Sequence, residues 1–178
     1  MRELCPWYAV GVKHQHEQAV RSALEFKGFE TWVPTYRAHR TWSDRVKALE
    51  RPLFAGYVFC RFPFSERTKI FDTPGVTRVV AFGGKPAEIN ESEMIAIRAV
   101  IASNLPARPW PHLKAGDRVS IEHGPLRGIE GTVIRDRLKA HCGLCFVVGV
   151  QLLQRYIAVD LEPEMLAPLR AAAASAGN

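Results

Sequence analysis

Cys142-Gly143-Leu144-Cys145 is the one stretch of this sequence with the spacing of reactive or metal-binding thiols, and His141 stands beside it as a third donor. A structural zinc site needs four ligands, and no second pair at matching spacing follows. The preferred reading is a loop with incidental thiols; a thiol-dependent enzyme or metalloprotein is the rival. His112, His123 and His141 lie near Asp117 or Asp136 in sequence, but a nucleophile-base pair is defined by geometry that spacing does not supply. There is no glycine-rich phosphate loop and no metalloprotease motif. The expectation is therefore no catalytic residue, no metal site and no cofactor.

A second chemistry is available in the charges. Lys and Arg number 24 against 18 Asp and Glu, a net +6, and the isoelectric point near 9.4 suits a polyanionic partner such as nucleic acid. The excess leans toward the first half, where residues 1–106 hold 15 basic and 11 acidic side chains. Arg37, Arg40, Arg45, Lys47 and Arg51 crowd one stretch with His39 and Trp42 among them, a composition able to track phosphates and stack an unpaired base. A solvated hairpin is the bland alternative. His14, Gln15, His16, Gln18 and Arg21 form a second polar cluster around the start of a helix.

These clusters need elements to hold them. Hydrophobic residues make up 47% and charged residues 24%, as expected for a chain with a packed core. No apolar run approaches the roughly 18 residues of a membrane span, and Met1 to Pro6 lacks a signal peptide's apolar stretch, so a cytoplasmic protein with four reduced cysteines is expected. Trp7 to Val12 reads as a buried strand. Val20, Ala23 and Leu24 give a helix over His16 to Lys27. Phe29 to Tyr36 and Phe54 to Phe62 read as strands flanking a long hairpin over Arg37 to Arg51. Ser65 is placed to cap a short helix ending near Thr73-Pro74-Gly75, a strand follows over Val76 to Phe82, and Asn90 to Glu93 resembles a capping box opening a helix to about Ala102. This order predicts an α+β fold, a ferredoxin-like split βαβ domain with an antiparallel sheet and helices. Three prolines between Ala102 and Pro111 mark a linker over 103–112. Beyond it, Val119-Ser120-Ile121, Gly131 to Ile134, Cys145 to Val150 and Tyr156 to Leu161 predict a small all-β barrel over 113–170, with a disordered tail at 171–178.

Within the second half, Gly124-Pro125-Leu126-Arg127-Gly128-Ile129-Glu130-Gly131 joins three glycines to a following β-branched strand. The segment resembles a KOW motif, carried by Gly124, Pro125, Leu126, Gly128 and Gly131, the signature of small SH3-like barrels in NusG-like factors. Upstream, Trp7-Tyr8-Ala9-Val10, His16 to Val20, Trp32-Val33-Pro34, Pro52 to Phe59 and Thr73-Pro74-Gly75-Val76 resemble the NusG N-terminal domain in order. Trp42-Ser43-Asp44-Arg45 and Val150 to Arg155 resemble most the specialised UpxY-like and RfaH-like antiterminators.

The resemblance implies a non-enzymatic, monomeric transcription elongation factor. Residues 1–102 would bind the clamp helices of the largest RNA polymerase subunit and suppress pausing or termination by favouring the closed polymerase. Trp7, Tyr8, Phe54 and Tyr57 match the family's apolar docking motif, although strand aromatics also fill cores. Arg67, Thr68 and Lys69 correspond to a gate-loop contact. The helix-start cluster corresponds to the face that reads the non-template DNA strand. The barrel would recruit a small-subunit ribosomal protein or Rho, and its β-branched content predicts a stable barrel with no fold switch. The competing class is a KOW-containing RNA-binding or ribosome-associated protein that does not bind polymerase.

Overall fold

Trp7 to Val12 (β1) is buried at every position, and period-two alternation divides it between two cores. Trp7 and Ala9 join one apolar cluster, Tyr8, Val10 and Val12 another. The structure is a computed structural model that describes residues 5–42, 45–110, 117–121, 123–136, 143–161 and 166–168. His112, His141, Cys142 and the expected tail lie outside those residues.

After β1 come α1 (Glu17–Phe26), β2 (Glu30–Trp32), β3 (Thr35–Trp42), β4 (Arg45–Pro52), β5 (Tyr57–Arg61), α2 (Arg67–Phe71), β6 (Val76–Val79), β7 (Ala81–Phe82), β8 (Lys85–Pro86), β9 (Glu88–Ile89) and α3 (Glu91–Ala102). The first sheet has the order β2-β5-β1-β6, with β9 also pairing β1, and its pairings are antiparallel. Val20 and Leu24 of α1 and Ile70 of α2 bury on one face with Val58 and Cys60. Met94, Ile97 and Val100 of α3 bury on the other with Phe54 and Phe59.

The second half contributes β10 (Ala107–Trp110), β11 (Asp117–Ile121), β12 (Glu130–Asp136), β13 (Gly143–Val150), β14 (Arg155–Leu161) and β15 (Leu166–Pro168). They form one sheet in the order β10-β14-β13-β12-β11-β15. Phe146, Val148, Val150, Ile157 and Val159 share a single apolar cluster with α3 and the first sheet. α3 packs along β13. Only Arg98 breaks its apolar sequence after Glu93, and the small residues Ser92, Ala96, Ala99 and Ser103 recur opposite Met94 and Ile101. A helix apolar on both flanks is stable only when both are covered.

Several expectations need correction. The stretch read as a linker is partly strand: β10 pairs β14 from Ala107 to Trp110, Pro109 included, because an edge strand tolerates a missing donor. The strand expected over Phe29 to Tyr36 breaks at Val33-Pro34, and Thr35 onward belongs to the hairpin. Ser65 sits inside a 3-10 turn over Phe64–Glu66, and α2 has no side-chain cap. Asn90 likewise makes no side-chain cap; its backbone carbonyl accepts the Glu93 and Met94 N–H groups at 3.0 and 3.3 Å.

Burial of Cys60 within the first sheet, with a smaller contribution from Glu30, pushes its thiol up to about 12. A thiol held neutral at ordinary pH is a poor nucleophile. Peptide mapping after alkylation of the folded chain at about pH 8 should leave Cys60 unmodified, and denaturant should expose it.

Candidate functional site

Glu17, the first residue of α1, is only 6% exposed, and its Oε1 accepts the Gly56 N–H at 2.8 Å. The Gly56 carbonyl accepts the Val12 N–H at 2.9 Å, and the Tyr57 N–H donates to the Phe54 carbonyl at 3.1 Å. Gly56 has φ +84°, a left-handed geometry that a side chain resists. The turn from Leu53 to Tyr57 is thus fixed by a strand and a helix on either side of it.

Within that turn the two aromatics part ways. Phe54 is 1% exposed and meets Phe59 edge-on at 5.2 Å, so in this arrangement it offers no surface. Tyr57 is half-buried, and its hydroxyl accepts from the Arg78 guanidinium at 3.3 Å. Arg78 and Tyr57 lie either side of Gly11 in register across β6, β1 and β5. A Cβ on Gly11 would come within 2.9 Å of Arg78 Cγ; the missing side chain lets the arginine cross the strand.

The other expected docking residues lie elsewhere. Trp7 is fully buried, four positions along β1 from Gly11, with the Arg61 and Arg98 guanidiniums 4.8 and 5.1 Å from its ring centroid. Burial opposes the charge on Arg61, but Glu91 at 2.7 Å and Glu30 at 3.3 Å outweigh it and raise its pKa. Tyr8 faces the opposite core, 4.6 Å from Phe62; burial first, then the charge of Glu88, raises its phenol pKa. Arg67, Thr68 and Lys69 are exposed on α2, where Lys69 pairs with Glu66 at 3.1 Å and Arg67 covers the Phe64 ring at 4.5 Å. These residues therefore occupy three separate places.

His14, Gln15, His16 and Gln18 are exposed, and His16 Nδ1 lies 2.9 Å from the His14 carbonyl. Arg21 pairs with Glu25 at 2.9 Å. Gln15, Gln18 and Arg21 line a cleft of about 400 Å³ whose far wall is Thr35, Glu50 and Pro52 at the hairpin base. In the hairpin, Arg37 is in register with Glu50, Arg40 with Lys47 and Trp42 with Arg45.

The glycine loop of the second sheet is accounted for residue by residue. Gly124 and Gly128 have φ +86° and +83°. The Gly128 N–H donates to Ile121 at 2.8 Å and the Ile121 N–H to Ile129 at 3.1 Å, closing the loop on the end of β11. Pro125 is exposed and Leu126 buried. A Cβ on Gly131 would stand 2.5 Å from the Phe146 ring.

Sequence reasoning missed four residues. Glu17 looks like an ordinary acid at a helix start, and Gly11 and Arg78 meet only through strand pairing. Phe82 is 84% exposed on the β7-β8 excursion from the edge of β6; Phe82-Gly83-Gly84 was its available signal. Among the described residues, no group of three or more His, Cys, Asp or Glu is placed to hold a metal. No described helix is long and apolar enough to cross a membrane.

Residues 6–98, the first sheet with its helices, match the family model described as transcription termination factor nusG. The chain belongs to the NusG family. NusG-family members are transcription factors, and the fold agrees over most of this one: Thermotoga maritima NusG, from a structure of its domain interaction, superposes with a TM-score of 0.52 at 22% identity, covering 93% of this chain and 97% of that chain. A chain of the MjSpt4:Spt5 complex in conformation B aligns at 17% identity over 93% of this chain and 97% of that chain, with a TM-score of 0.32. No curated protein matches in sequence.

Two substitutions test this NusG-family geometry. Glu17→Ala should cost about 1–3 kcal/mol by orphaning the buried Gly56 N–H, and Glu17→Gln, which keeps an acceptor, should cost less; urea unfolding reads both. Gly131→Ala should cost roughly 1–3 kcal/mol by overpacking Phe146, with intrinsic fluorescence and circular dichroism reporting the loss of the second sheet.

Proposed function

We propose that this chain binds the clamp helices of the largest RNA polymerase subunit through the end of the first sheet around Tyr57 and suppresses pausing or termination as an operon-specialised elongation factor of the UpxY-like and RfaH-like kind. The observation that carries this reading is the fixed turn. Its sequence matches the family's docking motif, its backbone is held by Glu17 and Val12, and it leaves a half-buried tyrosine beside an exposed arginine. Aromatic and arginine side chains on a preset backbone bury interface area at little entropy cost.

In this reading residues 1–102 are the docking unit, read as ferredoxin-like from its β2-β5-β1-β6 order, and 113–170 are a KOW-type barrel recruiting a small-subunit ribosomal protein or Rho. Exposed Arg67, Thr68 and Lys69 are available to the gate loop, and the α1 cleft to the non-template strand. Trp7 and Phe54 support the surface from below rather than making contact. Polymerase control then requires no chemistry: a ligand that prefers the closed clamp shifts the population by its differential affinity.

Binding of the full chain to an isolated clamp-helix fragment tests this. Tyr57→Ala should weaken binding by about 2 kcal/mol, roughly 30-fold, with little change in unfolding midpoint. Phe54→Ala should instead lower stability by about 3–5 kcal/mol. No saturable binding by the folded chain would overturn the proposal, and steeply salt-dependent RNA binding in its place would favour a KOW-type RNA-binding protein.

A further inference from the structure

Two irregularities meet where β6 runs beside Gly11. Val10 is in register with Val79 and Gly11 with Arg78, but Val12 is in register with Val76, so Thr77 is an extra residue on β6 with no partner on β1. A bulge of this kind bends its strand and re-aims the neighbouring side chain. The Thr77 hydroxyl fastens it by donating to the Gly11 carbonyl at 2.9 Å. The second irregularity is Gly11 itself, where a Cβ would stand 2.9 Å from Arg78 Cγ and 3.4 Å from its Nε. Alternation places Gly11 on the sheet face of Trp7 and Ala9, which pack with α3. At Gly11 the covering side chains are those of Arg78 and Thr77, and both residues are exposed.

None of this serves a charge inside the protein. Among the described residues Arg78 forms no ion pair, whereas Arg21, Arg61, Lys69, Arg98, Arg108 and Arg118 each meet a carboxylate. Glu17, the acid that holds the adjoining turn, is buried and already accepts the Gly56 N–H. What Arg78 does reach is the Tyr57 hydroxyl, at 3.3 Å. A phenol that accepts from a guanidinium keeps its own proton to donate, and the guanidinium keeps further N–H groups. The pair is therefore all donor on its outer side. It matches a charged acceptor with paired oxygens, which among protein side chains is a carboxylate.

We propose that Arg78, aided by the Tyr57 hydroxyl, binds an Asp or Glu carboxylate on the clamp helices and so determines which partner the turn accepts. The inference rests on the polymerase reading above and adds the chemistry of the contact. Tyr57 packs against the apolar cluster that contains Phe54 and Phe59, so a single fixed cation here borders an apolar surface. That combination fits one carboxylate on a protein face; a nucleic acid strand calls for cations repeated along a line. A partner with an amide or a cation in the same place would leave Arg78 unpaired or opposed, which is how one charge discriminates. Gly11 and Thr77 are positioning residues, acting through Arg78.

Titrations of the full chain with an isolated clamp-helix fragment test this, with urea midpoints as the control on folding. Arg78→Gln should weaken binding about tenfold, flatten its salt dependence and leave the midpoint nearly unchanged. Arg78→Lys should restore part of the loss, since it keeps the charge without the planar fork. Tyr57→Phe should weaken binding about threefold. Gly11→Ala should weaken it too, yet add little to Arg78→Gln, because both act on one side chain. On the fragment, single replacement of each Asp and Glu by its amide should find one whose effect is about tenfold against the wild-type chain and absent against Arg78→Gln. Wild-type affinity in Arg78→Gln beside weak binding by Tyr57→Ala, or a fragment with no carboxylate coupled to Arg78, would overturn the contact and leave the docking reading standing. No saturable binding by the folded wild-type chain would overturn both. An Arg78-dependent affinity for a labelled DNA strand in place of the fragment would overturn the carboxylate and assign the pair to phosphate.

Discussion

α3 has too little polar surface to be covered from one side. Met94, Ile97 and Val100 fill the face of the first sheet that α1 and α2 leave open, and Ala96 and Ala99 on the opposite flank bring the helix against β13. Neither burial alone would remove the helix from water, so the two sheets are joined by a shared demand rather than by a tether. The cluster that runs from Trp7 through α3 to Val159 follows from this. So does the division of labour on the first sheet, where the α1 and α2 face is complete within the family-matched residues and the α3 face is completed by the second half.

The candidate surfaces lie at the margins of that double core. The Phe54 to Tyr57 turn is set at one end of β1, where Gly11 leaves room for Arg78 and Glu17 reaches over from α1. Trp7 anchors the other end between two arginines. Rigidity and exposure are in this way supplied by different residues: the buried aromatics hold the backbone, and Tyr57 and Arg78 stand where a partner could meet them. A surface that acts by binding alone needs that separation, since its affinity depends on how little order remains to be imposed on binding.

The short aromatic and β-branched run of Trp7 to Val12 and the 3.6-residue stripe of Val20 and Leu24 made β1 and α1 legible from sequence, because each pattern is local and strong. The glycine loop was legible for the same reason: Gly124 and Gly128 announce left-handed backbone in their own identity. What escaped was fixed by partners far along the chain. Phe54 looks like an interface aromatic until Phe59 is seen against its ring, Glu17 and Gly56 are 39 residues apart, and Pro109 argued for a linker until β14 supplied a strand beside it. The basic stretch was found by composition, but only strand pairing could set Arg37 in register with Glu50.

Pro109 has one more effect. β10 is the outermost strand of the second sheet, and an outermost strand is a template on which any extended chain can grow. Proline brings no N–H to that edge, and the neighbouring Arg108 reaches Asp160 at 3.9 Å, putting charge beside it. The segment that carries the chain from α3 into the second sheet thus also makes that edge a poor template for an added strand, a safeguard of most value in a fold rich in β-branched strands.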